Sequence, residues 1–211
     1  MQFRIIHKEE GDFISVDLGR QYRSMTMSVL PQNEKLIDTN YYVEGYAANY
    51  ERYCLGDAWD GKPVYEQFTR ENFEGVDRSD VIMQYDHNGD VFARCKNGSL
   101  IVRVDDKGLF IAADLGNTQR GKEVYEMISK GMIDKMSWSF IPGKSYFDSD
   151  TRTITYDSIK RLFDVSAVSI PANDTTDIHA RSFIDGLIGQ TMPDPQKRKI
   201  LQIKIKSIIG G

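Results

Sequence analysis

The chain has three histidines, and His87 is the one best placed for chemistry. It follows the apolar run 81–85, which predicts a strand, and precedes the Asn-Gly-Asp of residues 88–90, which predicts a turn. A strand end beside a turn presents a side chain at the edge of a site while the strand fixes its position. Neutral imidazole accepts a proton from a hydroxyl near physiological pH, so His87 is a candidate general base. Many surface histidines occupy such turns without any catalytic role.

Two serines alternate with large apolar side chains further along the chain. If residues 136–141 form a strand, Trp138 and its neighbours two positions away share the core face. Ser137 and Ser139 then share the other face, on a rigid element. Either hydroxyl is a candidate nucleophile, although serines are also common on the solvent face of a half-buried strand.

A carboxylate lies inside the apolar run 162–170, which predicts another strand. On this strand Asp164 and Ser166 share one face, and the apolar neighbours share the other. A buried carboxylate needs a partner, and a histidine N–H is a suitable one. Asp164 is therefore a candidate to orient His87, with an edge-strand aspartate as the alternative interpretation.

Short motifs of other enzyme classes are absent from the sequence. There is no Gly-x-Ser-x-Gly, no His-Glu-x-x-His, no phosphate loop and no Cys-x-x-Cys. Residues 86–90 share only part of the spacing of a calcium loop, so no metal is expected. Cys95 is an alternative thiol nucleophile near His87, although free cysteines are more often buried structural residues. No organic cofactor is expected either.

Composition excludes several broad classes of protein. The 211 residues are 27% charged and 40% hydrophobic, enough for one folded domain with a core. The net charge of −4 argues against an electrostatic nucleic-acid binder. Two cysteines are too few for a disulfide framework, and no apolar run predicts a signal peptide or a membrane span. These features indicate synthesis in a reducing cytosol.

The elements that must position these residues are mostly strands. Residues 100–104 and 109–113 predict a hairpin closed near Gly108. Asn117 or Thr118 is expected to cap a helix that ends before Gly131. The sequence predicts an α+β domain dominated by antiparallel strands with one clear central helix. Further expectations are strands at 3–6, 13–18, 41–46 and 154–159, a polar hairpin at 144–151, an irregular region at 51–80, and a short helix at 182–192.

The order of these segments resembles the prohead protease family of tailed bacteriophages. The resemblance covers residues 40–183, and each motif is weak alone whereas their order is fairly specific. It rests on Val43-Glu44-Gly45-Tyr46-Ala47, Tyr85-Asp86-His87, the hairpin around Asp105-Asp106-Lys107-Gly108, the helix, residues 131–140, Phe163-Asp164-Val165-Ser166 and Pro171-Ala172-Asn173.

The resemblance implies an antiparallel β-barrel-like core with a few helices, related to the herpesvirus maturation protease. It implies a protease domain at 1–183, and the change in composition after Phe183 predicts a tail or accessory segment at 184–211. The expected activity is that of a serine endopeptidase inside the assembling prohead in the host cytoplasm. Expected substrates are scaffold protein, the scaffold-like segment of the major capsid protein, and the enzyme itself, with self-cleavage near the tail. A homodimer or higher oligomer is compatible with the resemblance, whereas a membrane or a specific nucleic-acid partner is not expected.

The resemblance also assigns roles to the candidate residues. His87 matches the family's histidine and general base, and Ser137 matches its serine nucleophile. Asp164 falls where the family commonly has an acidic residue, often Glu, and would orient His87. The family often has glycine where this chain has Ser139, which leaves Ser139 as a competing nucleophile. The oxyanion hole would be formed by backbone N–H groups, and our guess is that they come from the turn after His87, through Arg94.

A protein of another class would fit the same fold. A non-catalytic capsid-assembly or scaffolding protein is the main alternative, and the basic, aliphatic tail at 197–209 would suit docking to a capsid or scaffold partner. Under that hypothesis, replacing Ser137 would change nothing measurable.

Overall fold

A computed structural model describes residues 3–6, 13–16, 20–26, 35–58 and 60–169. This part of the chain is mostly β-sheet, with one α-helix, α1 (Gln119–Ser129), and 3₁₀ helices at Arg70–Phe73 and Cys95–Asn97. The strands are β1 (Phe3–Ile6), β2 (Phe13–Val16), β3 (Gln21–Thr26), β4 (Tyr42–Asn49), β5 (Tyr53–Asp57), β6 (Pro63–Glu66), β7 (Ile82–Tyr85), β8 (Asn88–Arg94), β9 (Leu100–Val104), β10 (Gly108–Asp114), β11 (Lys135–Pro142), β12 (Ser145–Asp148), β13 (Thr153–Tyr156) and β14 (Ile159–Val168).

These strands form four sheets. The largest has the order β3-β11-β14-β7-β8, in which only β14 and β7 run parallel. The others have the orders β12-β13-β6-β5, β4-β10-β9 and β1-β2. The predicted α+β class with mainly antiparallel strands is confirmed. The predicted barrel-like core is wrong, because a barrel requires the first and last strands of a sheet to pair, whereas β3 and β8 are the two edges of the large sheet. The relation to the herpesvirus protease stays a prediction.

The core lies against one face of β11. Met136, Trp138 and Phe140 alternate along this strand and are completely buried, as the sequence pattern predicts. Trp138 stacks on Phe140 with ring centroids 4.0 Å apart, and Phe68 packs edge-on against both rings. Phe68 also stacks on Tyr156 of β13. Aromatic packing thus joins the five-stranded sheet to the four-stranded sheet and leaves the opposite face of β11 for polar side chains.

The helix begins and ends where the sequence predicts. Thr118 caps α1, since its hydroxyl oxygen accepts a hydrogen bond from the Gly121 N–H at 2.9 Å. Gly131, just beyond the end, has φ of 67°, a conformation that glycine adopts without steric cost. Val124 and Ile128 bury the inner face of the helix.

Several predicted boundaries are wrong. Residues 51–80 are not irregular, because they contain β5, β6 and a 3₁₀ helix. The strand expected at 154–159 ends at Tyr156, and Ile159 already begins β14. Strand β3 was not predicted, because its sequence Gln-Tyr-Arg-Ser-Met-Thr has no apolar alternation. The predicted helix at 182–192 and the tail at 184–211 lie outside the described residues. No helix in the described ranges is both long and apolar enough to cross a membrane.

Candidate active site

Ser137 lies on β11, between β3 and β14, on the face opposite the aromatic core. The register places it opposite Ser24 on one side and Ser166 on the other. Its face is covered rather than open to solvent, so that Ser137 is 1% exposed. The hydroxyl oxygen lies 2.6 Å from Nε2 of His87 and 3.0 Å from the backbone carbonyl oxygen of Arg23. A hydroxyl has one proton, so these two groups are alternative acceptors for it.

His87 is held in the two-residue turn of a β-hairpin. Tyr85 pairs with Asn88, and the residues between them, Asp86 and His87, have φ of 47° and 55°. Positive φ at both central residues is the geometry of a type I′ turn, and Asp and His tolerate it better than most residues. The turn expected at 88–90 is therefore wrong, because the turn begins two residues earlier and contains the histidine itself, while residues 88–94 form β8.

Asp86 fastens this turn to the end of β14. Its backbone N–H donates to the carbonyl of Ala167 at 3.0 Å. Its carboxylate accepts from the backbone N–H and the hydroxyl of Ser169, each at 2.9 Å. These bonds extend the parallel pairing of β7 with β14 and hold the turn in the place where His87 contacts Ser137.

Asp164 is a fully buried carboxylate with four hydrogen-bond donors. On Oδ1 it accepts from Nδ1 of His87 at 2.5 Å and from the Ser166 hydroxyl at 2.9 Å. On Oδ2 it accepts from the Ser139 hydroxyl and from Arg20. Burial by itself raises the pKa of Asp164, but the hydrogen bonds from His87, Ser139 and Ser166 outweigh it and hold the pKa below its usual range. The carboxylate is therefore ionised at neutral pH.

The ionised carboxylate fixes the tautomer of His87. A carboxylate only accepts, so Nδ1 carries the ring proton and Nε2 is left to accept from Ser137. The three residues are a hydroxyl, an imidazole and a carboxylate in series, the arrangement that activates a serine for attack on an acyl carbon.

Ser139 shares the face of Ser137 but faces a different partner. It lies directly opposite Asp164 in the β11–β14 ladder. Its hydroxyl donates to Asp164 and accepts from Arg20 Nη2 at 2.8 Å. The Ser139 hydroxyl is thus engaged in holding the carboxylate, whereas Ser137 is the serine in contact with the imidazole.

The edge strand β3 and Arg20, the residue before it, contribute contacts that sequence reasoning missed. Tyr22 places its ring edge-on to His87, with centroids 4.7 Å apart. Arg20 reaches Asp164, and the Arg23 carbonyl reaches Ser137. Arg23 is itself buried and bidentate on Glu66, at 2.5 and 2.8 Å. No local signal marks these residues, because each contact depends on the pairing of β3 with β11.

Two other residues named in the sequence analysis, Arg94 and Cys95, lie at the end of β8 and in the 3₁₀ helix that follows it. Arg94 pairs with Ile82 at the opposite end of the β7–β8 hairpin from His87, and its guanidinium bonds Asp80 at 2.5 and 2.7 Å. Arg94 thus lies at the far end of the hairpin from His87, and the oxyanion hole expected in the turn after His87 stays a prediction. Cys95 follows Arg94, and burial raises the pKa of its thiol, which disfavours the reactive thiolate.

Comparison with models of protein families gives a match over most of the chain. The family model described as caudovirus prohead serine protease matches residues 29–186. No curated protein and no solved structure matches the chain. The matched range contains the hydroxyl, the imidazole and the carboxylate, and it begins after β3.

Proposed function

The chain belongs to the caudovirus prohead serine protease family, and from this premise we propose that it is an endopeptidase with Ser137 as nucleophile, His87 as base and Asp164 as orienting carboxylate. The single observation that carries the assignment is the continuous line of contacts from the Ser137 hydroxyl through His87 to a fully buried Asp164. A family match alone would not distinguish Ser137 from Ser139.

The proposed reaction begins with attack of Ser137 Oγ on the scissile carbonyl while His87 Nε2 takes the hydroxyl proton. Asp164 stays ionised and stabilises the imidazolium. His87 then gives its proton to the leaving amine, which leaves an acyl-enzyme. Water attacks the acyl group, His87 takes a proton from it, and release of the carboxylic acid restores the Ser137 hydroxyl.

The proposed nucleophile is almost completely buried. Ser137 is 1% exposed, and its hydroxyl has the Arg23 carbonyl as a second acceptor besides His87. A peptide carbonyl reaches Oγ only after a covering group has moved. We infer that substrate binding opens this face of β11, which would keep the free enzyme nearly inactive.

The substrates in this proposal are capsid proteins. A prohead protease acts on capsid-related proteins in general, and we propose the scaffold protein or the scaffold-like segment of the major capsid protein. Self-cleavage near the 184–211 segment, action within the assembling prohead in the host cell, and a homodimer or higher oligomer belong to the same proposal.

Co-expression with the cognate capsid or scaffold protein tests the proposal, with intact masses as the readout. We expect the wild-type chain to truncate its partner and Ser137→Ala to leave it intact. Ser139→Ala should retain cleavage at a reduced rate, and Cys95→Ala should cut like wild type. Loss of cleavage in Ser139→Ala with full cleavage in Ser137→Ala would reverse the nucleophile assignment. A wild-type chain that cuts nothing while capsids assemble would favour a scaffolding role.

A further inference from the structure

Arg20 connects the protein surface to the buried carboxylate. Its side chain is 38% exposed, whereas that of Asp164 is fully buried. Its Nη2 donates to Oδ2 of Asp164 and, at 2.8 Å, to the hydroxyl of Ser139. Oδ2 is the carboxylate oxygen that does not face His87, so Arg20 and His87 hold the same carboxylate from opposite sides.

Two aromatic rings hold the guanidinium in this place. The carbon at the centre of the Arg20 guanidinium lies 4.5 Å from the ring centroid of Phe163 and 5.3 Å from that of Tyr22. Phe163 is adjacent to Asp164 on β14, and Tyr22 contacts His87. Stacking of this kind favours a planar guanidinium over an ammonium group.

We propose that Arg20 is a positioning residue of the active site, which orients Asp164 and opposes protonation of the His87–Asp164 pair. A positive charge beside the carboxylate partly neutralises the attraction of Asp164 for a proton on the imidazole. Removal of the Arg20 charge is therefore expected to favour the protonated imidazole, which cannot act as a base. The catalytic consequence rests on the proposed function, whereas the effect on protonation does not.

The other charged and titratable groups beside His87 do not supply this effect. Tyr22 contributes a ring edge, and the carboxylate of Asp86 is turned towards Ser169. Ser137 and Ser139 on β11, and Ser166 on β14, contribute hydroxyls without charge.

The test compares Arg20→Met and Arg20→Lys with the wild-type full chain. Methionine has a similar reach without charge, and lysine keeps the charge without the planar fork. Arg161→Met is the matched control, because Arg161 also lies over the Phe163 ring, at 4.6 Å, from an exposed position. Circular dichroism establishes that each variant is folded.

The first readout is an NMR titration of the ring signals of the three histidines. The His87 signal is the one that is missing from the spectrum of His87→Gln. We expect the titration midpoint of His87 to rise by about one pH unit in Arg20→Met, the size expected of one partly screened charge at close range. Arg20→Lys should stay within about 0.3 of a unit of wild type, and Arg161→Met should not move.

The second readout is kcat/KM against pH for cleavage of the capsid or scaffold partner. The acid limb of the Arg20→Met profile should move to higher pH by the same amount. The ratio of wild-type to variant kcat/KM should then be about tenfold larger at pH 6 than at pH 9. An unmoved His87 midpoint in a folded Arg20→Met protein would overturn the inference, as would an equal shift in Arg161→Met. Failure of the proposed function leaves the NMR titration intact, so the two failures are distinguishable.

Discussion

The substitution Asp164→Asn tests how the active site sets the tautomer of His87. Wild-type Asp164 accepts two hydrogen bonds on each oxygen, from His87 and Ser166 on one and from Arg20 and Ser139 on the other. An asparagine offers one oxygen and one NH₂, so the two groups that face the NH₂ must accept from it instead of donating.

The orientation of the asparagine decides the outcome. A charged donor forms the stronger hydrogen bond, so the amide oxygen should turn to Arg20 and the NH₂ to His87. The imidazole then carries its proton on Nε2, facing Ser137, and loses its ability to take the hydroxyl proton. Loss of the correct tautomer in a serine–histidine–aspartate site costs about 10⁴-fold in rate, which corresponds to about 5.4 kcal/mol in the activation barrier.

The measurement is a time course of capsid or scaffold truncation by intact mass, from which kcat/KM is compared with wild type. Asp90→Asn is the matched control, because Asp90 lies on β8 and forms an exposed ion pair with Arg120 at 3.2 Å. We expect Asp90→Asn to stay within about twofold of wild type. The variant Asp164→Asn should remain folded, with a loss of unfolding free energy of about 1–3 kcal/mol. An Asp164→Asn enzyme within tenfold of wild type would refute the reasoning.

Three further predictions follow from buried groups. The folded-state pKa of Asp164 is depressed. The stability that the Asp164 carboxylate contributes is therefore present above its unfolded pKa of 3.8 and is lost as the pH falls below that value. The urea midpoints measured at pH 7 and pH 3 should differ less in Asp164→Asn than in wild type. Glu66→Gln leaves the buried Arg23 charge without its carboxylate and should lower the free energy of unfolding by about 3–5 kcal/mol in urea titrations. A fluorophosphonate should label wild type at Ser137 slowly, whereas rapid labelling of the free chain would contradict a closed resting site.

The sequence determined the local features of this protein. Alternation along β11 separates Trp138 from Ser137 because successive side chains on a strand point to opposite faces. Thr118 and Gly131 delimit the helix through bonds and backbone angles within a few residues. Residue types alone also singled out an imidazole, two hydroxyls and a carboxylate, since few other side chains can perform this chemistry.

Only the tertiary structure decided which of these groups meet. A period of two assigns a side chain to a face but not to a partner, so the strand pattern by itself left Ser137 and Ser139 equivalent, and only the family resemblance favoured Ser137. The register of β11 against β14 sets Ser139 opposite Asp164, and the two-residue turn carries His87 to Ser137. Strand pairing between distant segments depends on the combined packing of the whole sheet.

The contribution of β3 was beyond sequence reasoning for the same reason. Arg20 lies 144 positions before Asp164 in the chain, and nothing near either residue marks the contact. It exists because β3 pairs with β11 and because the Phe163 and Tyr22 rings lie where the guanidinium can stack on them. The types of residue thus determined which side chains could do the chemistry, and the long-range register of the five-stranded sheet decided which of them are in contact.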